Sequence, residues 1–466
     1  MTQDMSDTPT PGPRRGLWRK RYLLLIPIGA FATLYWISSR SSDGVLDRLR
    51  ARGYPTTSLE LDRWYVSVPS EQNLSGPILR ASGAFRYQAL VGSSIPFLAA
   101  GANEPSPQIP APADELARWR QVIQSNAETW TALAEARTRT EGRYPINLSL
   151  GMNTILNHLA PLKSLVQACA LRALVCAEEQ KPAESLEALR DIYLVRRSIL
   201  SEPTLISTLV GFALDSIGTR AVRDCLERTR FTDAQLVLLS EDLRSIASTN
   251  CSERGFVGEL ANGRSVFTGG AAALVSVAGP GPGGAPSAAS QLGVGVLQAS
   301  GILAADEFFF LQKLSAFIDA TRQPFPQGLD AAETAEAELT ADLAKPSGKL
   351  KLFSRMMLPA LAKAIAKGAA DQANLRMTQT ALAIERFRLA HGRTPPDALA
   401  ALVPEYLPVV PTDPFDGKPI RYRRTDSGYV LHCIGSDRKD GGGLPTVVDQ
   451  KGRPIANPDF VFEVRR

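Results

Sequence analysis

The chain has 466 residues, 44% of them apolar and 21% charged, with a net charge of +5. This is an ordinary globular composition, long enough for two to four domains, and it excludes a disordered chain as the default. Residues 1–21 carry five basic and two acidic groups, which leaves +2 for the rest of the chain and excludes a nucleic-acid surface, because that needs a dense basic patch.

Arg14, Arg15, Arg19, Lys20 and Arg21 precede an apolar run from Tyr22 to Ile37, with Trp18, Tyr22, Tyr35 and Trp36 near its two ends. A helix needs about 20 apolar residues to span a bilayer. Residues 17–39 reach that length when Trp18 and the basic side chains sit among the headgroups, where such residues are favoured. The basic flank then predicts a cytoplasmic tail (1–16), one uncleaved transmembrane helix (17–39) and export of everything after Arg40. That describes a single-pass protein of the inner membrane with its bulk in the periplasm. A cleaved signal peptide is the competing reading, disfavoured because Ile37-Ser38-Ser39 is a poor small-x-small cleavage site.

From 40 to 260 the pattern is mostly helical. Ala113 to Arg139, Pro161 to Glu179, Pro182 to Leu200, Pro203 to Thr229 and Asp233 to Ser248 show helical spacing of apolar residues, separated by Pro or cap-like residues. Short connections imply a bundle of neighbouring helices. One pair, LVQACALRALVCAEEQ and KPAESLEALRDIYLVRRSIL, has the look of a tetratricopeptide-type hairpin, but a stack needs about three copies at a fixed period, so the bundle is favoured. Gly53, Gly142 and Gly392, each closely followed by Pro, mark helix stops leading into extended straps.

Residues 261–305 read as a low-complexity insertion, with no charged residue from Ser265 to Ala305 and Pro280, Pro282 and Pro286 interrupting its Gly/Ala-rich run. A membrane-touching or partner-binding segment is the other reading; its apolar pieces are too short to span a bilayer. Helical pattern resumes over 306–374.

The last ninety residues change character. An amphipathic helix is predicted from Leu375 to Ala390, capped by Gly392 and stopped by Pro395 and Pro396. A Pro-rich strap follows to Pro414, then strands Ile420 to Arg424 and Gly428 to Ile434 joined at Asp426-Ser427-Gly428, and a closing strand through Phe460, Phe462 and Val464. The succession AIERFRLAHGRTPPDALAALVPEYLPVVPTDPFDGKPIRYRRTDSGYVLHCIGSDRKDGGG resembles the periplasmic head of the major pseudopilin of type II secretion, over roughly the last fifth of the chain. The apolar anchor and processing site that a pseudopilin carries directly before this helix are missing here, since Gly16 is followed by LWRKR. The whole combination, with its CSERGF stretch, looks like a group of membrane-anchored proteins of the Planctomycetes type. The expected architecture is therefore mainly α: a transmembrane helix, a helical-bundle body and a small α+β pseudopilin-like head over 375–466.

Recognisable catalytic patterns are missing from the sequence. His158, His391 and His432 make no HExxH spacing, and there is no Gly-x-Ser-x-Gly elbow. Cys169 and Cys176 lie about 10 Å apart if helical, too far for a disulfide, while Cys225 with Cys251 stays open. The neighbouring acids Glu178-Glu179, Glu241-Asp242 and Asp306-Glu307 diverge on a helix and read as solvated faces or caps; Arg421, Arg423 and Arg424 read as the exposed face of a hairpin. The pseudopilin resemblance implies one site, a calcium ion in the GSDRKDGGG loop with Asp437, Asp440 and Asp459 as the carboxylates. The residues themselves also allow Asp and Gly to be shaping turns, with Arg438 and Lys439 placing positive charge beside the ion. The expected function is that of a non-catalytic membrane-anchored envelope protein, held by one helix and offering body and head to a protein partner or to copies of itself, with a link to secretion. The alternative is an exported hydrolase built from scattered residues.

Overall fold

The computed structural model describes residues 38, 40–87, 95–98, 109–269, 300–443 and 459–465. Residues 1–37, which hold the tail and the apolar run of the expected membrane span, lie outside the described residues, as does the centre of the expected insertion, 270–299. Among the described residues the chain is mainly helical, with one three-stranded antiparallel sheet near the C-terminus.

The helices are α1 (residues 40–51), α2 (Ser58–Trp64), α3 (Ser75–Ala84), α4 (Ala113–Gln124), α5 (Ala127–Ala136), α6 (Leu159–Glu178), α7 (Pro182–Ser198), α8 (Leu205–Arg228), α9 (Asp233–Ala247), α10 (Cys251–Thr268), α11 (Ile302–Thr321), α12 (Gln327–Ala344), α13 (Leu352–Met357) and α14 (Leu361–Ala390). Their starts follow local chemistry. Pro182 occupies the first turn of α7, Thr204 caps α8 through the Ser207 amide, and Thr232 with Gln235 forms a capping box on α9. The helix predicted from Ala113 to Arg139 is broken in two. Asn126, buried at the break, accepts from the Arg86 amide at 2.7 Å and donates to the Arg86 carbonyl at 3.0 Å, so its amide satisfies the strap after α3 instead of continuing the helix.

Helix α6 is enclosed by α3, α4, α7 and α8, which is why Leu162, Leu165, Cys169, Leu171 and Leu174 can all be fully buried on different faces. By length and composition α6 and α8 could each cross a bilayer. In this fold their apolar surface goes into the protein core. A second core gathers Phe256, Phe310 and Phe317 of α10 and α11 with Leu46 and Leu49 of α1. Helix α10 runs on to Thr268 and α11 begins at Ile302, so both edges of the expected insertion are helical.

Strands β1 (Arg421–Thr425), β2 (Gly428–Cys433) and β3 (Phe460–Arg465) lie in that order, with Thr425 opposite Gly428 and Cys433 opposite Phe460. Central β2 is buried along its whole length. A Cβ on Gly428 would lie 2.0 Å from the Val464 carbonyl oxygen, so the turn admits only glycine. Helices α14 and α8 both pack on β3.

The head's helix does not begin at Leu375. Helix α14 runs without a break from Leu361, and one apolar core extends from Leu74 and Ile78 through α6, α8 and α14 to Phe462 and Val464. On this helix Phe387 is only half-buried, stacked on His391 with ring centroids 3.8 Å apart. Leu382 is fully buried. Leu382→Ala should cost about 2–5 kcal/mol and Phe387→Ala about 1–2 kcal/mol in denaturant unfolding; the reverse order would put the contact back on the ring.

Candidate functional site

The acidic loop after β2 is organised around Arg421 and His432. From β1, Arg421 donates to Asp413 and Asp416 at 2.6 Å each and to Asp440 at 3.1 Å. This corrects the expectation of an exposed basic face at that position, although Arg423 and Arg424 are exposed. The His432 Nε2 lies 3.1 Å from Asp440 and 4.0 Å from Asp459. The loop then turns its amides inward. Gly441 and Gly443 donate to the two oxygens of Asp459 at 3.2 and 2.8 Å, and Gly442 donates to Asp440 at 2.9 Å. The Gly442 amide and His432, with Arg421, hold the Asp440 carboxyl below the ordinary carboxylate range.

Of the three expected calcium ligands, the fold therefore brings Asp440 and Asp459 together. Asp437 is elsewhere, exposed, and accepts from the Lys439 amide at 3.1 Å as a turn former. The third group within ligand reach is His432, an imidazole that the sequence reading passed over. Arg438 points away from the cluster and pairs with Asp330 and Glu333 of α12. Calcium wants six to eight hard oxygens, with backbone carbonyls converging on it. Among the described residues the converging backbone groups are N–H donors already bonded to the carboxylates, and two carboxylates with an imidazole supply fewer hard oxygens than calcium takes. We expect the thermal unfolding midpoint to be the same in several millimolar calcium and in chelator; a rise with calcium would return the ion to Asp440 and Asp459.

A second polar site lies inside the helical body and has no sequence motif. Arg196 of α7 is almost fully buried and donates to Asp215 of α8 at 2.6 Å; its other face lies against Gly211, where a Cβ would come within 2.6 Å of the guanidinium carbon. Its Nη2 is 3.5 Å from the Cys251 sulfur at the start of α10. Asp371 of α14 completes the group. Asp371 Oδ1 and Asp215 Oδ1 are both buried without a hydrogen-bond partner, as is the hydroxyl of Tyr193, one turn before Arg196. Burial, then the charge of Asp215, pushes the Asp371 carboxyl well up against the pull of Arg196. Burial also raises Asp215, with Arg196 opposing. Three ionisable side chains thus share one buried site, and burial with the neighbouring Asp215 favours the protonated form of Asp371.

This group opens onto a cleft of about 350 Å³ lined by Arg196, Cys251, Asp371, Gln372, Arg322 and Arg376 among others. A second cleft of about 340 Å³ lies over α7, where Arg137 grips Asp191 through two bonds of 2.8 and 2.6 Å and Arg190 pairs with Asp242. Asp306, expected on a solvated face or at a cap, is buried and accepts from the Phe353 amide in the first turn of α13 and from the Ser354 hydroxyl, tying α11 to α13. His158 is held between the Glu202 carboxylate at 2.9 Å and the Tyr144 ring, and Ser207 also binds Glu202, so acid, base and hydroxyl are locked into one another. All five cysteines are free thiols, which closes the Cys225–Cys251 pairing, and burial pushes each above the ordinary thiol range.

The chain matches no protein-family model, no curated protein and no solved structure.

Proposed function

We propose that this chain is a non-catalytic envelope protein, anchored in the inner membrane by residues 17–39, whose exported body and pseudopilin-like head act together in binding a protein partner or copies of the chain. The observation that carries this reading is the continuity of α14, which serves both the helical body and the sheet. A head built into the body adds surface, whereas a separately hinged head would act alone. Further support comes from the apolar side chains left exposed at α2 and the loop before α6: Leu59, Val66, Leu150, Met152 and Ile155.

The test is a photo-reactive residue at position 155 or 66 in intact cells, combined with protease added outside spheroplasts. A discrete cross-linked species and digestion of the body are the expected results. Protection of residues beyond Arg40 would reverse the topology, and cross-linking no stronger than at an exposed polar control would remove the binding role.

The hydrolase reading rests on one observation, the carboxyl pair Asp215 and Asp371 beside an open cleft. It requires a turnover that Asp371→Asn abolishes.

A further inference from the structure

The cleft beside Asp371 is lined by an acid and a base that have no ion-pair partner among the described residues. Deep inside, Arg196 and Asp215 neutralise each other, so an ionised Asp371 has no cation of its own; its carboxyl is about nine-tenths buried, lines the cleft and has an unpartnered oxygen. Nearer the mouth, Arg376 lines the same cleft and makes its hydrogen bonds to neutral groups, the Thr412 carbonyl at 2.6 Å and the Thr412 hydroxyl at 3.2 Å. The other rim cation, Arg322, lies 3.7 Å from Glu253. Asp371 and Arg376 are five residues apart on α14, which separates their origins by about 7.5 Å along the helix axis. The same cleft is lined by Asn250, Ser252 and Gln372 and by the apolar side chains of Phe212, Ile365 and Leu375.

We infer that this cleft binds a small zwitterion of dipeptide size, with its ammonium group on Asp371 and its carboxylate on Arg376. An ammonium ion supplies the donors that the buried carboxylate lacks and takes the place of its proton. A carboxylate at the other end gives Arg376 an anion in a geometry that can be bidentate. A plain amine would meet Arg322 and Arg376 at the entrance, and a plain carboxylate would meet Asp371 at the floor, so each half alone is opposed. The volume, about 350 Å³, is at the lower end of the range for small-ligand sites. The inference concerns a small ligand and stands whether or not the exposed apolar side chains meet a protein partner.

The probe is glycylglycine, titrated calorimetrically into the full-length chain in detergent, alongside its N-acetylated form, its C-terminal amide, ethylamine and propionate. Saturable binding of glycylglycine is expected, weakened about tenfold or more when either end is blocked, the loss expected for one charge-assisted contact. Asp371→Asn and Arg376→Met should each give a similar loss. Arg376→Met, at the rim, keeps the test open should the buried variant unfold. In a Cys176→Ser background, bound ligand should also slow alkylation of Cys251, which lines the cleft. Equal binding of the blocked dipeptides, equal binding of ethylamine alone, or no binding up to about 10 mM would each overturn the inference.

Discussion

Arg196→Ala is expected to destabilise the chain by about 3–5 kcal/mol, as removal of one partner from a buried ion pair does. The cost is less the lost attraction than the carboxylate left behind: Asp215 has no exposure and its second oxygen already lacks a partner. Without Arg196, burial acts on Asp215 and Asp371 together, and both must take up protons for the site to be neutral. The double change Arg196→Met with Asp215→Leu should lose far less than the single one, because no unpaired charge remains. Asp371 adds a pH dependence of definite sign. A carboxyl raised in the folded state binds more protons folded than unfolded, so its contribution falls as pH rises from about 4 toward its folded value. Unfolding followed by circular dichroism at intervals from pH 4.5 to pH 8 should show Asp371→Asn losing less stability with rising pH than wild type does. A slope unchanged by Asp371→Asn would mean the proton is elsewhere.

The second large effect concerns the C-terminal fragment. Residues 375–466 alone should not fold, although the order of their elements reads as a complete small head. Their helix carries Met377, Thr378, Ala381, Leu382 and Ile384, all buried, and packs on α8 and α9 as well as on the sheet. Thr378 bonds to Thr219 of α8 at 3.2 Å, Arg386 pairs with Asp233 of α9, and Arg438 reaches α12. Removing the body would expose an apolar face several residues long in a segment too small to compensate. The measurement is the amide spectrum of the fragment, expected to be narrow and without a cooperative melt; dispersed signals with a sharp thermal transition would make the head autonomous.

What could be read in advance follows from the range of the interactions. Helix starts at Pro182, Thr204 and Thr232 and the Asp426-Ser427-Gly428 turn are decided by neighbours within a few positions, so their signals are visible in the chain itself. The upstream half of α14, AKAIAKGAADQAN, is rich in alanine and reads as helix, but it carries few large apolar residues to mark it as core; small side chains such as Ala369 and Ala373 are what it buries. Its continuity with the head's helix is decided by that tertiary packing. The polar cleft was hidden for a related reason. Arg196, Asp215 and Asp371 come from three helices, and the local trace of each is a charge set among apolar positions, as in GFALDSIG around Asp215. His432 likewise stands in a buried strand, where a lone imidazole reads as core; its partners Asp440 and Asp459 reach it only after the loop has folded back.

The five free thiols bear on how the chain would survive the export proposed above. An oxidising compartment forms disulfides from thiolates that can be reached. In the folded protein Cys169, Cys225 and Cys433 are shut away from solvent, and every thiol is held toward its unreactive protonated form. Reduced cysteine would therefore be a kinetic record of folding: molecules that bury their sulfur early stay unmarked, and those that linger open acquire cross-links the native packing has no room to accept.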